Sequence, residues 1–137
     1  MKYTSKMNYI KAKLKALFDR KMKSECCTLV WNLNHVNKNI PIFRLNRAKC
    51  TANSLNGISY INQSEDYTFT FGSGIVGKVW ATRQNEVVTV AVSNIKNFHR
   101  KDIARLYNIK YVTIAYIDNN TIIEFASSDE ILDACDT

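Results

Sequence analysis

Three closely spaced glycines are the residues of this chain whose arrangement most directly suggests chemistry. Gly72, Gly74 and Gly77 form a G-x-G-x-x-G turn, a pattern that can hold the phosphates of a dinucleotide. That use requires a buried parallel strand before the turn and an acidic residue about 20 positions after it. Residues 66–71 instead alternate polar and aromatic side chains, residues 90–96 contain no acid, and no kinase signature follows. The turn is therefore predicted to be a corner between a strand and a helix, where glycine permits positive φ and close backbone packing.

The four cysteines offer a second kind of chemistry. They are Cys26, Cys27, Cys50 and Cys135, and none forms the pair separated by two residues that structural zinc sites and thioredoxin-like motifs use. We expect buried thiols that hold no metal and form no disulfide. The sequence also shows no nearby Cys-His or Ser-His-Asp arrangement for nucleophilic catalysis. A protein that is not an enzyme is therefore expected, with a thiol-based reductase as a less favoured alternative.

The positive charge of the chain is concentrated at its N-terminus. The chain carries 19 Lys and Arg against 12 Asp and Glu, a net charge of +7, and residues 1–23 contain 8 of those basic residues and 1 acid. This segment accounts for the whole excess, so the remaining chain is neutral overall. Attraction to nucleic acid or acidic lipid would therefore map to the N-terminal segment.

A helix is the structure that this basic segment favours. Apolar residues within residues 5–23 recur on one face of a helix, and lysines occupy the other face. Three uses of a basic amphipathic N-terminal helix remain open: packing on the sheet, docking on an acidic partner, nucleic acid or membrane surface, and pairing in a homodimer through the terminal helices. The lysines available to an acidic partner are Lys2, Lys6, Lys11, Lys13, Lys15, Lys21 and Lys23.

Length and composition bound the class of protein. With 137 residues and 46% hydrophobic content, we expect a single domain over residues 1–137, with an N-terminal helix in 1–23 and a sheet with covering helices in 24–137. No run approaches the roughly 18 apolar residues of a membrane helix, and the N-terminus lacks the apolar core of a signal peptide. A cytoplasmic location is therefore expected.

The elements that must position these residues can be read from the hydrophobic pattern. Residues 26–33 and 42–48 are predicted to be paired strands joined by the loop 34–41, and residues 51–66 a connecting segment with at most one short helical turn. The second half is predicted to contain a continuous strand over 87–92, a helix over 99–106, paired strands over 110–117 and 121–126, and a short C-terminal helix over 129–135. Antiparallel hairpins with helices gathered at the ends indicate an α+β fold.

The order of motifs in the second half resembles a GAF domain. The glycine turn leads into an apolar helix start, a strand follows, and Phe98-His99-Arg100 opens a helix, as in that family. The stretches 108–112 and 122–125 are similar to the family's last two strands, and the match covers roughly residues 60–127. The resemblance implies a central antiparallel sheet of five to six strands, with the N- and C-terminal helices packed on one face.

The same resemblance implies a function and a site. GAF domains act as sensor or protein-interaction modules in signalling, and they hold small ligands between the sheet and the segments that cover it. The resemblance places Phe71, Trp80, Phe98, Arg100 and Tyr111 at such a ligand-binding pocket, with Arg100 available for an anionic group. The alternative is that the aromatic side chains fill the core and that Arg100 pairs with a neighbouring acid.

The family's better-defined ligand motifs do not match this sequence. The residues that bind cyclic nucleotides in other members are missing, and His99 is the one residue in a plausible place to hold a tetrapyrrole. The branch that reduces free methionine sulfoxide carries cysteines where this chain has Ile75, Val76 and Lys78. The resemblance therefore favours a non-catalytic module and names no cofactor.

Overall fold

The computed structural model describes residues 26–34, 40–50, 55–93 and 98–128. The predicted N-terminal helix, the predicted C-terminal helix over 129–135 and Cys135 lie outside the described residues. So does most of the predicted loop over 34–41.

The described residues form an antiparallel sheet of six strands. The strands are β1 (Cys26–Asn34), β2 (Ile42–Cys50), β3 (Thr68–Phe69), β4 (Glu86–Thr89), β5 (Tyr111–Asp118) and β6 (Thr121–Ser127). Their order across the sheet is β3-β2-β1-β6-β5-β4, so β1 and β6, which are far apart in sequence, lie side by side at the centre. The predicted α+β fold with a central antiparallel sheet is confirmed.

Three α-helices accompany the sheet in the described residues: α1 (Leu55–Ser64), α2 (Gly74–Thr82) and α3 (Lys101–Leu106). The prediction of a connecting segment over 51–66 was wrong, because α1 has ten residues. Its buried face consists of Gly57, Tyr60 and Ser64, which are spaced by three and four positions. Glycine, serine and asparagine are weak helix formers, so packing of this face, rather than intrinsic propensity, stabilises the helix.

The predicted continuous strand over 87–92 was also wrong in its second half. Strand β4 ends at Thr89, and Val90–Val92 form a 3₁₀ turn. Thr89 is the partner of Tyr111, the first residue of β5, and beyond this pair a backbone hydrogen bond follows, from Val90 N–H to the Lys110 carbonyl at 2.9 Å. The turn buries Val90 and leaves Val92 80% exposed. Apolar sequence alone cannot show where a partner strand begins.

One hydrophobic cluster joins the helices to the sheet. Helix α1 packs on β1 and β2, helix α2 packs on β5 and β6, and α3 contacts α1 and the 3₁₀ turn. Fully buried members of the cluster include Leu29 and Trp31 on β1, Phe43 on β2 and Ile114 on β5. This layer between the sheet and the helices contains Phe98, one of the predicted ligand-binding residues.

The glycine turn is the corner that leads into α2, as predicted. Gly72 and Gly74 have φ values of 80° and 64°, in the region that favours glycine. A Cβ on Gly77 would overlap the carbonyl oxygen of Thr70, and the Gly77 carbonyl accepts a hydrogen bond from the backbone N–H of Gly72 at 2.9 Å. Close backbone contact therefore requires glycine at position 77.

Candidate functional site

A buried ion pair lies under helix α1. Arg100 stands just before α3 and Glu124 lies on β6, and both are 0% exposed. Nη1 of Arg100 is 2.8 Å from Oε1 and 3.0 Å from Oε2 of Glu124. A buried charge of either sign is costly without a partner, and here each charge neutralises the other.

Further polar groups complete this buried ionic cluster, which comprises Arg100, Glu124, Trp31, Tyr60 and Ser64. The indole Nε1 of Trp31 donates to Glu124 Oε1 at 2.9 Å, and the Tyr60 hydroxyl donates to Glu124 Oε2 at 2.7 Å. Nη1 of Arg100 also donates to the Tyr60 oxygen at 3.0 Å and to Ser64 Oγ at 3.3 Å. The cluster therefore links β1, β6, α1 and the start of α3.

Burial and neighbouring charges shift the pKa values of two members of this cluster, Arg100 and Tyr60. Burial, the largest influence, would by itself lower the pKa of Arg100, but the Glu124 carboxylate together with Tyr60 and Tyr67 outweighs it, and the pKa is raised above its ordinary value. Burial, above all, raises the pKa of Tyr60 well above its ordinary value, even though the Arg100 charge acts in the opposite direction. Tyr60 therefore stays a neutral hydrogen-bond donor.

Aromatic rings enclose the guanidinium. The Arg100 Cζ lies 5.0 Å from the Trp31 ring centroid, 5.3 Å from Phe98, and 5.6 Å from both Tyr60 and Phe69. These distances are typical of cation–π contacts. Nε and Nη2 of Arg100 are buried without a hydrogen-bond partner. Aromatic rings therefore surround the guanidinium, whose Nε and Nη2 make no hydrogen bond with the described residues.

The structure separates the five predicted ligand-binding residues. Phe98 and Arg100 lie together in the interior, and of the two alternatives for Arg100, pairing with an acid is the one observed. Phe71 and Trp80 form a second group, with ring centroids 5.1 Å apart, and Phe71 is 65% exposed. Tyr111 stands at the start of β5.

Phe98 also lines a surface cleft of about 280 Å³. This cleft, here called the β4 cleft, lies between the start of α2, strand β4 and the 3₁₀ turn. Its apolar lining comes from Ile75, Val87, Val88, Val92 and Phe98, and its polar lining comes from Glu86, Thr89 and Ser93. Glu86 is held by Lys78 of α2, whose Nζ lies 2.9 Å from its Oε1.

A neighbouring cleft of about 310 Å³ is lined by Tyr111, Arg105 and Lys110, among others. The two clefts share Thr89 but have different walls. Phe98 and Tyr111 therefore do not meet in the same cleft.

The sequence interpretation missed Glu124, Trp31 and Tyr60. One signal was present: Glu124 interrupts the apolar stretch around Ile122 and Phe125, and an acid in a buried strand requires a cationic partner. No comparable signal marks Tyr60, because α1 was not predicted.

Metal chemistry receives no support from the part of the chain that the structure describes. Those residues contain no group of three or more His, Cys, Asp or Glu side chains that could hold a metal ion. Among the same residues, no helix is long and apolar enough to span a membrane.

Comparison with known proteins places the fold. No protein-family model matches the chain, and a search of curated proteins finds no match. Solved structures do match. The GAF domain of a two-component sensor histidine kinase from Bacillus halodurans superposes with a TM-score of 0.55 at 12% identity, covering 92% of this chain and 83% of the other.

Two further structures agree. The A. aeolicus nlh2 GAF domain in an inactive state has a TM-score of 0.53 at 18% identity and covers 98% of this chain and 85% of its own. A Staphylococcus aureus NreA protein mutated in its nitrate binding site has a TM-score of 0.53 at 13% identity and covers 88% and 87%. The identities are low, so the likeness is one of fold. Together with the six-stranded antiparallel sheet, it shows that this chain has a divergent GAF-like fold.

Proposed function

We propose that this domain is a non-catalytic sensor module of GAF type, which binds a small ligand in the β4 cleft. The observation that carries the proposal is the cleft itself, at the junction of the glycine corner, strand β4 and Phe98. Its lining combines apolar side chains with the polar groups of Glu86, Thr89 and Ser93, and polar atoms contribute most of its exposed surface.

The size of the cleft restricts the ligand. Its volume of about 280 Å³ is at the lower limit of small-molecule sites, which span roughly 300–1,000 Å³. An amino acid, a small acid or an inorganic oxyanion would fit, and a tetrapyrrole would not. The NreA neighbour, with its nitrate binding site, supports a ligand of this size in this fold.

Phe98 gives the cleft a connection to the interior. Its ring is fully buried and lies 5.3 Å from the guanidinium of Arg100, which is bonded to α1 through Tyr60 and Ser64. A ligand in the cleft would reach Phe98 through the side chains that cover it, and Phe98 would transmit the effect to α1 through the buried ionic cluster. This is a route by which occupancy of the cleft changes the stability of α1.

A thermal-shift screen tests the proposal. Nitrate, amino acids, small carboxylic acids, nucleotides and tetrapyrroles would be added to the full chain. A ligand at about 100 times its Kd stabilises the folded state by about 2.7 kcal/mol, which raises Tm by several degrees. We expect a saturable shift with one of the small compounds.

A matched pair of variants locates the site. Ser93→Trp fills the β4 cleft from its rim, whereas Leu106→Trp adds the same side chain at an exposed position of α3 that does not line the cleft. The ligand shift should vanish in Ser93→Trp and persist in Leu106→Trp. A shift that survives in both, or no saturable shift with any compound, would contradict the proposal.

Three sequence predictions stay predictions. Docking on an acidic partner or pairing as a homodimer through the terminal helices concerns residues outside the described ones. The cytoplasmic location is untested in the same way.

A further inference from the structure

Two cysteines meet at the edge of the layer between α1 and the sheet. Cys27 on β1 and Cys50 on β2 are direct partners in the register of the two strands. Their Sγ atoms are 2.9 Å apart in a thiol hydrogen bond. The two thiols are distant in sequence, and only the β1–β2 pairing brings them together.

The backbone at this pair suits a disulfide. Directly opposed residues of antiparallel strands have Cα atoms about 4.5 or 5.5 Å apart, depending on the type of pair. Both values fall within the range of about 4.4–6.8 Å found for disulfide-linked residues. The Cα separation expected for this pair is therefore compatible with a Cys27–Cys50 bond.

The two thiols differ in access. Cys27 is 2% exposed, whereas Cys50, the last residue of β2, is half-buried. Burial, followed by the hydrogen bond to Cys50, raises the pKa of the Cys27 thiol above its ordinary value. Cys50 is therefore the thiol that an oxidant reaches first. Cys27 reacts second, with the oxidised Cys50. Cys26 is 1% exposed and, as the preceding residue of a strand, points to the other face of the sheet.

Helix α1 rests directly on the sulfur atoms. A Cβ on Gly57 would lie 2.6 Å from Cys50 Sγ and 2.7 Å from Cys27 Sγ, so glycine leaves room for both. Tyr60, the next buried residue of α1, donates to Glu124 in the buried ionic cluster. Oxidation of the two thiols would therefore change the packing of α1, the helix that contributes Tyr60 to that cluster.

We propose that Cys27 and Cys50 are a reversible dithiol–disulfide site, oxidised by a small disulfide of the glutathione class. The Cys50 thiolate attacks one sulfur of the oxidant, which forms a mixed disulfide and releases one thiol. The Cys27 sulfur then attacks Cys50 Sγ as its proton is lost, and the departing thiolate takes up a proton and leaves as the second thiol. The pair loses two electrons and two protons, the oxidant is reduced to two thiols, and the reverse exchange restores the dithiol. Neither cysteine lines the ligand cleft, and the exchange requires no ligand there.

Disulfide mapping on the full wild-type chain tests the proposal. The protein is equilibrated at mildly alkaline pH with mixtures of reduced and oxidised glutathione, trapped with an alkylating agent, and examined by intact mass and peptide mass spectrometry. We expect a form that carries two alkyl groups where the reduced chain carries four, and that contains a Cys27–Cys50 cross-linked peptide. A thiol reductant should reverse the bond completely.

Matched serine variants assign the link. Cys26→Ser and Cys135→Ser should keep it, with the midpoint at the wild-type glutathione ratio, while Cys27→Ser and Cys50→Ser should abolish it. Cys26→Ser also removes the ambiguity of two adjacent cysteines in one peptide. The wild-type mapping does not depend on whether any variant folds. A link to Cys26 or Cys135, a stable glutathione adduct on Cys50 without the internal bond, or a chain that stays reduced would each overturn the proposal.

Discussion

Two aromatic regions of this molecule use similar side chains for different purposes. In the buried ionic cluster, Trp31 and Tyr60 are fully buried, and their polar atoms donate to Glu124. At the corner formed by Phe71 and Trp80, the two rings pack edge to face, Trp80 also packs edge to face on Phe43, and Phe71 remains largely exposed. One region encloses a charge pair, and the other covers the surface beside the glycine turn.

The difference shows what each region demands of its neighbours. A buried ion pair tolerates no missing partner, because each polar group has been removed from water. A half-exposed aromatic corner can lose a ring and expose a little more surface. Substitutions should therefore be far more costly around Arg100 than at Phe71, although both residues were predicted for the same ligand pocket.

The largest effect is expected from Arg100→Met. This change leaves the Glu124 carboxylate buried without its cation, which should cost about 3–5 kcal/mol of unfolding free energy in urea. The double variant Arg100→Met/Glu124→Gln removes both charges and should recover most of the loss. Arg105→Met, at an exposed arginine of α3, should change stability by no more than about 0.5 kcal/mol. Equal losses of unfolding free energy in Arg100→Met and Arg105→Met would contradict the expected difference between buried and exposed regions.

Gly77→Ala should have the next largest effect, a loss of about 2–3 kcal/mol of unfolding free energy. The new methyl group meets the Thr70 carbonyl and forces a backbone shift in the corner that positions α2, and this overpacking outweighs the helix propensity of alanine. Gly72→Ala meets no atom within 4 Å, so its cost is the backbone strain of a positive φ, about 1 kcal/mol. Chemical denaturation measures both. A larger loss at Gly72 than at Gly77 would show that close packing does not govern this corner.

Trp80→Ala and Phe71→Ala compare the contributions of the two residues of the aromatic corner to stability. Trp80 is partly buried against the core and Phe43, so we expect a loss of about 2 kcal/mol, below the 3–5 kcal/mol of a fully buried tryptophan. Phe71 should cost less than about 1 kcal/mol, since most of its ring already faces solvent. Thermal and urea unfolding would report both values, and a reversed ranking would place Phe71 in a buried contact.

The buried ionic cluster also predicts a pH dependence of stability that the aromatic corner lacks. The pKa of Tyr60 is raised in the folded state, so its contribution to stability is complete below the unfolded pKa of about 10 and is lost as the pH rises above it. Tyr60→Phe should be less stable at neutral pH by about 1–2 kcal/mol, because the bond to Glu124 is lost. Its alkaline slope should be flatter than that of wild type by up to about 1.4 kcal/mol per pH unit. Phe71→Leu, which alters no titrating group, serves as the control, and parallel alkaline curves for wild type and Tyr60→Phe would contradict the expectation.

Sequence patterns predicted much of the sheet but not all of its helices. The strands β1, β2, β5 and β6 were predicted to within a few residues because their β-branched and aromatic runs are bounded by loop residues. Helix α1 escaped prediction because its buried face contains glycine and serine, which look like loop residues until the sulfur pair and the ionic cluster are seen beneath them.

For the candidate site, the sequence identified residues such as Arg100 but not the side chains that they contact. Arg100 was singled out, but whether it met a ligand or an acid depended on β6 lying beside β1, which brings Glu124 next to Trp31 and under Tyr60. The β4 cleft likewise depends on where β4 stops pairing with β5.

By itself, the sequence determined the α+β class, the glycine corner and the local positions of most strands, since these follow from short-range periodicity and backbone conformational preference. The tertiary structure alone decided that Arg100 is neutralised, that Cys27 faces Cys50, and that Phe71 and Trp80 lie apart from Phe98 and Arg100. These outcomes depend on contacts between residues far apart in sequence, whose energies exist only once the strands have been placed in their order across the sheet.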